Sequence, residues 1–347
     1  MHLDEPSWWY AEGGEARLPA RLLAPVSALY GAIAERRFRR ATPLRSPLPV
    51  ICVGNFTAGG TGKTPLSRYL LDALAQRSVT AACLSRGYGG ALAGPVWVDP
   101  TRHTAREVGD EPLLLAHSGR VMISRDRRAG LLAIAGDGET GAVVMDDGLQ
   151  NPALAKDLTI AVVDARRGLG NGLIIPSGPL RARLAFQLGL VDCVVVMGAL
   201  DSGEDLPLLQ TLRAEFPGPV LRAAVRPTEA LADVAGRTVL AFAGIANPER
   251  FFRLVEGLGA GRVLRRPFPD HHAFSETDAR ALLSEADALG ALLVTTEKDA
   301  ARLAGATGAC GALAKRLQTV PIAVVFDGRD GLRLDALIDG ALKSVRR

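Results

Sequence analysis

Apolar residues along this chain fall into short uninterrupted runs, separated by segments in which they recur every three or four positions. Continuous short runs are typical of strands buried on both faces, and the longer period is typical of helices packed on a sheet. The predicted strands are Val50–Val53, Ala81–Ser85, Val121–Ser124, Ala142–Met145, Leu158–Val163 and Cys193–Met197. This alternation predicts an α/β fold, a parallel sheet with helices on both faces.

The pattern restarts near Pro227–Gly236. Further predicted strands are Val239–Ala243, Val263–Arg265, Leu292–Thr295 and Ile322–Phe326. They predict a second, smaller α/β domain at the C-terminal end. The expected organisation is an N-terminal segment over residues 1–40, a core domain over 41–230 and a C-terminal domain over 231–347.

The segment Leu18–Arg40 has the pattern of an amphipathic helix. One face carries Leu22, Val26, Leu29 and Ile33, and the segment ends with Arg36, Arg37, Arg39 and Arg40. Trp8, Trp9 and Tyr10 precede it. An apolar face, interfacial aromatic residues and a basic end are typical of a helix lying on a membrane surface. The alternative is a helix packed on the protein's own core, capped or kinked at Pro25.

Composition narrows the class of protein. The chain of 347 residues is 48% hydrophobic and 5% aromatic, with a net charge of +4. This mild positive excess suits an anionic membrane or a phosphorylated substrate, and also an ordinary surface. We expect no nucleic acid and no obligate protein partner. No signal peptide and no apolar stretch of membrane-spanning length is evident.

The cysteines are widely spaced and show no C-x-x-C pattern; they are Cys52, Cys83, Cys193 and Cys310. This spacing favours buried, reduced thiols in a cytosolic protein over a disulfide framework or a zinc site.

A glycine-rich phosphate-binding loop follows the first predicted strand. The candidate nucleotide-binding residues are Gly59, Gly60, Thr61, Gly62, Lys63 and Thr64. Glycines let backbone N–H groups point at phosphates, Lys63 would reach the β- and γ-phosphates, and Thr64 would bind Mg²⁺. The usual first glycine of the motif is replaced by Thr57. Ala58 stands where partitioning ATPases carry a lysine.

A second motif, GAVVMDDGLQ, places Asp146 and Asp147 at the end of an apolar strand. Downstream of a phosphate-binding loop, this arrangement is typical of acids that bind Mg²⁺ directly or through water. Alternatively, Asp147 and Gly148 form a simple turn. The segment TTEKD lacks the order of a guanine-reading motif, which favours ATP over GTP.

These motifs, in this order, resemble the tetraacyldisaccharide 4′-kinase family, the lipid A pathway kinases of Gram-negative bacteria. The matching segments are Val53–Pro65, Leu84–Gly89, Gly109–Ala116, Asp146–Gln150, Gly170–Arg181, Ala243–Phe252, Phe268–Phe274 and Thr295–Leu303. The family's own loop pattern accounts for Thr57. The resemblance implies a two-domain P-loop fold.

The resemblance also implies an activity. With ATP and Mg²⁺ as cofactors, the γ-phosphoryl group would pass to the 4′-hydroxyl of tetraacyldisaccharide 1-phosphate, giving lipid IVA. The partners would be this acylated glucosamine disaccharide and a membrane surface. The expected location is peripheral, on the cytoplasmic face of the inner membrane.

Family comparison implies that Asp110 is the catalytic base and His271 its partner, brought together from two domains. From the residues alone, Asp110 could equally cap a helix and His271 could lie on the surface. Arg86 and Gln150 are candidate substrate contacts. One departure is clear: the family's metal-binding glutamate is replaced by Ala182.

Another class of protein fits part of the pattern. A P-loop ATPase switch, acting on a protein or membrane partner, would share the loop and the N-terminal segment but needs no base such as Asp110. A kinase of soluble metabolites would leave the segment Leu18–Arg40 unexplained.

Overall fold

The computed structural model describes residues 6–10, 17–202, 206–228 and 234–344. The chain forms two compact units, neither of them continuous in sequence. The first comprises Met1–Arg86, Ser124–Val225 and Val324–Arg347, and the second comprises Gly87–Ile123 and Arg226–Ala323.

The strands are β1 Val50–Asn55, β2 Ala81–Ser85, β3 Val96–Trp97, β4 Arg120–Ile123, β5 Ala142–Asp146, β6 Leu158–Asp164, β7 Cys193–Met197, β8 Val220–Pro227, β9 Thr238–Ala243, β10 Arg262–Pro267, β11 Leu292–Thr295, β12 Gln318–Thr319 and β13 Ile322–Phe326. The helices are α1 Arg17–Arg40, α2 Lys63–Gln76, α3 Ala105–Val108, α4 Asp110–Ala116, α5 Arg127–Ala135, α6 Leu184–Leu188, α7 Pro207–Glu215, α8 Pro248–Gly257, α9 Glu276–Leu289, α10 Glu297–Leu303, α11 Gly308–Arg316 and α12 Gly328–Ser344. A short 3₁₀ helix, Ser7–Trp9, precedes α1.

In the first unit the strands follow the order β13-β8-β7-β6-β1-β5-β2. The pairs from β8 through to β2 are parallel. The strands β1, β5, β6 and β7 are buried along their whole length, as expected of a sheet covered on both faces. Val53 lies opposite Asp146. The loop after β1 and the acids after β5 therefore emerge at the same edge of the sheet.

The α/β fold class and the strands predicted from the apolar runs are confirmed, with bounds that shift by up to two residues. One assignment differs from the expectation. Ile322–Phe326 forms β13 beside β8 in the larger sheet, rather than a strand of the smaller one. No strand was predicted at the position of β8. The predicted larger sheet therefore lacked the strand beside which β13 lies.

The second unit contains a smaller parallel sheet in the order β10-β9-β11-β12. Its core includes Phe242 and Phe252 from β9 and α8, and Leu282 and Leu313 from α9 and α11. The short strands β3 and β4 of this unit pair antiparallel.

Helix α1 is docked on the first unit through its small and polar face. Ser27 and Glu35 are buried, and a Cβ atom on Gly31 would lie 2.8 Å from the Ile174 side chain. The apolar stripe is instead exposed, with Leu22 at 73% and Ile33 at 58%. The alternative in which this stripe packs on the protein's own core is therefore wrong.

Two further findings bear on the sequence analysis. Among the helices of the described residues, none has the length and apolar character needed to cross a bilayer. All four cysteines are free and buried, as predicted. Burial raises the pKa of the Cys52 thiol to about 11, so this group is an inert core residue at neutral pH.

Candidate functional site

The glycine-rich loop joins β1 to α2 in the first unit. Gly59 and Gly62 have φ angles of 90° and 97°, a region that only glycine adopts without strain. Asn55, the last residue of β1, donates its side-chain amide to Gly59 O at 3.2 Å. Helix α2 begins at Lys63, so its positive N-terminal end faces the loop.

The unusual Thr57 has a structural explanation. Thr57 forms an antiparallel bridge with Leu180. On either side of it, Ala58 N donates to Pro179 O at 2.8 Å and Arg181 N donates to Phe56 O at 2.9 Å. This segment is therefore extended backbone, which needs no glycine.

The two acids after β5 differ in their surroundings. Asp146 is buried and accepts a 2.8 Å hydrogen bond from Ser67 Oγ. Asp147 has a φ of 49° and lies between two cations: its Oδ1 is 3.8 Å from Lys63 Nζ and 3.1 Å from Arg181 Nη1. Burial opposes ionisation of Asp147, but Lys63 and Arg181 outweigh it and lower the pKa of this carboxyl group.

The residues present fit a Mg²⁺–nucleotide group. Within the described residues, the buried oxygens Asn55 Oδ1 and Thr61 Oγ1 have no hydrogen-bond partner. The same ranges contain no cluster of three His, Cys, Asp or Glu residues that could hold a metal without other ligands. Mg²⁺ bound to a nucleotide takes few protein ligands, because phosphates and water complete its coordination. Thr64, Asp146 and Asp147 are the residues that would supply the protein share.

Gln150 belongs to the network that supports the loop. Its amide nitrogen donates to Asn55 O at 2.7 Å and to Gln187 Oε1 at 2.9 Å, and its oxygen accepts from Arg181 at 3.2 Å. These contacts favour a positioning role over direct substrate binding. Arg86 is exposed directly after β2.

Ala182, where the family resemblance leads us to expect a glutamate, is buried and 2% exposed. Its carbonyl accepts a 2.8 Å hydrogen bond from Gln187 Nε2.

In the second unit, Asp110 is the first residue of α4 and is 5% exposed. The preceding Gly109 has a φ of 91°, and a Cβ atom there would lie 2.5 Å from Tyr88 O. Only glycine therefore fits at this position. Asp110 Oδ1 accepts a hydrogen bond from Glu111 N at 3.0 Å. The N-cap of α4 is Gly109 and not Asp110, so the helix-capping alternative is wrong.

His271 follows β10, and its Nδ1 lies 3.2 Å from Asp110 Oδ2. Its φ of 57° is a strained conformation, of the kind that clusters at functional sites. His271 N donates to Gly244 O at 3.1 Å, which holds the turn. We expected Asp110 and His271 to come from two domains, but both belong to the second unit. The reason is that residues 87–123 join this unit before the chain returns to the first at Ser124.

The neighbouring His272 has a different environment. Its Nε2 lies 3.0 Å from Asp278 Oδ2, and its ring stacks on Phe268 at 4.8 Å between centroids. These contacts are structural.

Sequence reasoning missed Arg302, which lies in α10 with 8% of its side chain exposed. Its Nε donates to Asp110 Oδ2 at 3.0 Å, and its Nη1 donates to Asp299 Oδ1 at 2.6 Å and Gly244 O at 2.5 Å. On the same helix, Lys298 forms an ion pair with Glu111. The segment TTEKDAARL entered the sequence analysis as a family motif and as a segment without a guanine-reading order. The available signal for Arg302 was the pairing of two cations with two acids in this segment.

These contacts shift the pKa values of Asp110 and His271. Burial opposes ionisation of Asp110, but the hydrogen bond from His271 and the Arg302 cation outweigh it and hold its pKa well below the ordinary range. The hydrogen bond to Asp110 raises the pKa of His271, against burial. Asp110 is therefore an ionised carboxylate at neutral pH.

This chain is similar to known proteins over most of its length. A sequence profile of the LpxK family, tetraacyldisaccharide-1-P 4′-kinase, matches residues 19–342. The tetraacyldisaccharide 4′-kinase of Rhodospirillum centenum is 47% identical over 94% of each chain. That of Nitrobacter winogradskyi is 47% identical over 99% of each chain.

A solved structure agrees as well. LpxK from Aquifex aeolicus, crystallised in complex with ATP, superposes with a TM-score of 0.73 at 25% identity. The match covers 94% of this chain and 100% of that one. The end-to-end sequence match and the shared fold, on a chain that carries the loop and the Asp–His pair, show that it belongs to the tetraacyldisaccharide-1-phosphate 4′-kinase family.

Proposed function

We propose that this chain transfers the γ-phosphoryl group of ATP to the 4′-hydroxyl of tetraacyldisaccharide 1-phosphate, a step of lipid A biosynthesis, with Asp110 as the base. Family membership supports the reaction and its use of ATP with Mg²⁺. The observation that carries the role of Asp110 is its buried 3.2 Å contact with His271. A switch that hydrolyses ATP has no need of this pair.

The first unit would hold the nucleotide. Backbone N–H groups of residues 59–64 and the N-terminal end of α2 would contact the phosphates. Lys63 would leave Asp147, 3.8 Å away, for the γ-phosphate, where its charge stabilises the transition state. Thr64, Asp146 and Asp147 would hold Mg²⁺, which when bound neutralises charge on the β- and γ-phosphates.

The second unit would supply the base. As the new P–O bond forms, the hydroxyl proton passes to the Asp110 carboxylate and ADP leaves with the electrons of the broken bond. Oδ2 already accepts from Arg302 and contacts His271, whereas Oδ1 accepts from Glu111 N. Oδ1 therefore has the spare lone pair for the hydroxyl. His271 would orient the carboxylate from the opposite oxygen.

Helix α1 would place the enzyme on the cytoplasmic face of the inner membrane as a peripheral protein. The exposed stripe Leu22, Val26, Leu29 and Ile33 continues along the same face to Arg37 and Arg40. Apolar side chains followed by cations suit acyl chains beneath anionic headgroups. The acceptor carries acyl chains, so a membrane location would bring the enzyme to its substrate.

One assay tests the reaction. Purified protein is incubated with radiolabelled ATP and the acylated disaccharide 1-phosphate in detergent micelles, and the lipid fraction is separated. We expect labelled lipid that requires both Mg²⁺ and the acceptor. Label released only as inorganic phosphate would overturn the proposal in favour of an ATPase switch.

A further inference from the structure

The side chain of Arg302 is committed to two buried carboxylates at once. Its Nε and Nη2 both donate to Asp110 Oδ2. Its Nη1 donates to Asp299 Oδ1 and to Gly244 O. Asp110 and Asp299 are 5% and 0% exposed. The guanidinium therefore joins the candidate base to a second acid that has no contact with solvent.

The second acid is itself anchored to the backbone. Asp299 Oδ2 accepts from Gly244 N at 3.1 Å and from Thr296 Oγ1 at 2.7 Å. Thr296 is the N-cap of α10, and Gly244 follows β9. A continuous set of hydrogen bonds thus runs from the end of the smaller sheet through Asp299 and Arg302 to Asp110.

Stability alone is a poor reason for this arrangement. Removing three charged groups from water costs several kcal/mol per ion, and well-packed apolar residues are often as stable or more stable in their place. A planar guanidinium does, however, fix the direction of its acceptors, which a lysine ammonium does not. The arrangement therefore suits orientation of the carboxylate.

We propose that Arg302 is a positioning residue for phosphoryl transfer: it fixes the orientation of the Asp110 carboxylate, leaving Oδ1 to accept the proton of the acceptor hydroxyl. This inference rests on the proposed role of Asp110 as base. Its Nη2 also lies 3.4 Å from His271 Nδ1, so one guanidinium borders both members of the Asp110–His271 pair.

The pH dependence of this site follows from the charges around Asp110. The groups that face or adjoin it are Lys298, Asp299 and Arg302 from α10, Asp270 and His271 from the turn after β10, and Glu111 from α4. Arg302 is the cation in direct contact. Activity requires the unprotonated base and is lost as pH falls through its pKa. Removing Arg302 raises that pKa, so the loss begins at higher pH.

The test compares Arg302→Gln, Arg302→Lys and the wild type in the lipid kinase assay across pH. Arg302→Gln is expected to lower kcat by about 100-fold, the scale of a misplaced catalytic group, with KM for ATP within about twofold. The acid limb of its kcat profile should move to higher pH. Arg302→Lys should keep the acid limb near that of the wild type, because the positive charge is retained. Its kcat should still fall at least about tenfold, because one ammonium group cannot replace the several fixed donors of a guanidinium.

Arg316→Gln is the matched control. Arg316 lies in the same unit and pairs with the exposed Asp287, so kcat and its pH profile should not change. An unchanged kcat in Arg302→Gln overturns the inference. A lower kcat with an unshifted acid limb overturns it too, since it would leave Arg302 a purely structural role.

Two further measurements separate other outcomes. If Arg302→Gln does not fold, Arg302→Lys decides: wild-type kcat in that variant overturns the positioning role. If Asp110→Asn keeps wild-type activity, the proposed base fails and this inference fails with it. If Asp110→Asn is inactive while Arg302→Gln is normal, only this inference is wrong.

Discussion

Ser27 Oγ donates a buried 2.7 Å hydrogen bond to Ser177 Oγ, and Ser177 Oγ donates in turn to Ala20 O at 2.9 Å. These bonds attach α1 to the first unit by its polar face. The orientation is the reverse of an ordinary amphipathic surface helix, whose apolar stripe faces the core. The exposed stripe therefore contributes little to the folded core and is free to contact lipid.

The first prediction concerns this stripe. Replacing Leu22, Leu29 and Ile33 with Ser should move the protein from the membrane to the soluble fraction. Burial in lipid stabilises by about 25 cal/mol per Å² of apolar area, whereas these side chains are already exposed in the fold. Flotation with vesicles measures binding, and ATP affinity and Tm should stay within error.

Leu332→Ser is the control for that prediction, because Leu332 is a 72% exposed leucine on α12 of the same unit. It should leave vesicle binding unchanged. Loss of Tm in the triple variant would show that the stripe supports the fold instead.

The second prediction concerns the nucleotide. Lys63→Ala should lower kcat by roughly three or more orders of magnitude, because charge that develops on the γ-phosphate loses its cation. Lys343→Ala, an exposed lysine near the end of α12, is the control and should retain wild-type turnover. The labelled-lipid assay measures both, and near-normal turnover of Lys63→Ala would refute the loop assignment.

The third prediction concerns the acid–histidine pair. Asp110→Asn and His271→Ala should each reduce kcat strongly with little change in ATP affinity, and the double variant should be barely worse than the worse single variant. Residues that act as a unit show this non-additivity. Losses that multiply would mean that the two side chains work independently.

The adjacent histidine offers a matched control. His272→Ala removes the contact with Asp278 and the stacking on Phe268. It should lower Tm while leaving kcat of the folded protein near the wild-type value.

The fourth prediction concerns pH and stability. The pKa of His271 is raised above its unfolded value, mainly by the hydrogen bond to Asp110. Its contribution is therefore fully present below the unfolded pKa of about 6.5 and is lost as pH rises through the folded pKa. The difference in free energy of unfolding between wild type and His271→Ala should shrink from pH 6 to pH 9. Urea titrations at pH 6, 7.5 and 9 measure it, and a difference that grows with pH contradicts the assignment.

The buried parallel strands were predictable from sequence, because β1, β5, β6 and β7 are apolar on both faces and read as continuous runs. The phosphate-binding loop was equally predictable, because Gly59 and Gly62 stand at the positions where the backbone has a positive φ angle. The contacts around Asp110 in the second unit were not predictable in this way. The family resemblance implied the pairing of Asp110 with His271. No pattern in the sequence links Asp110 to Arg302, because their contact depends on how α4 and α10 pack.

The exposure of the α1 stripe was also beyond the sequence. A stripe such as Leu22 to Ile33 has the same periodicity whether it meets a core or a lipid. The orientation of α1 depends on the hydrogen bond between Ser27 and Ser177, which the periodicity of the sequence does not predict.

Interleaving of the two units has a consequence for biosynthesis of the chain. Asp110 and Arg302 are 192 residues apart, which at ribosomal speed is a delay of about 10–40 s. The first unit, for its part, is incomplete until the chain passes Val324. The second unit lacks part of its sequence until the chain reaches Ala323, and the first unit until it reaches Arg347. No single cut therefore divides the chain into two self-contained halves. A polypeptide terminated before Arg302 would thus lack both the cation paired with Asp110 and strand β13 of the larger sheet.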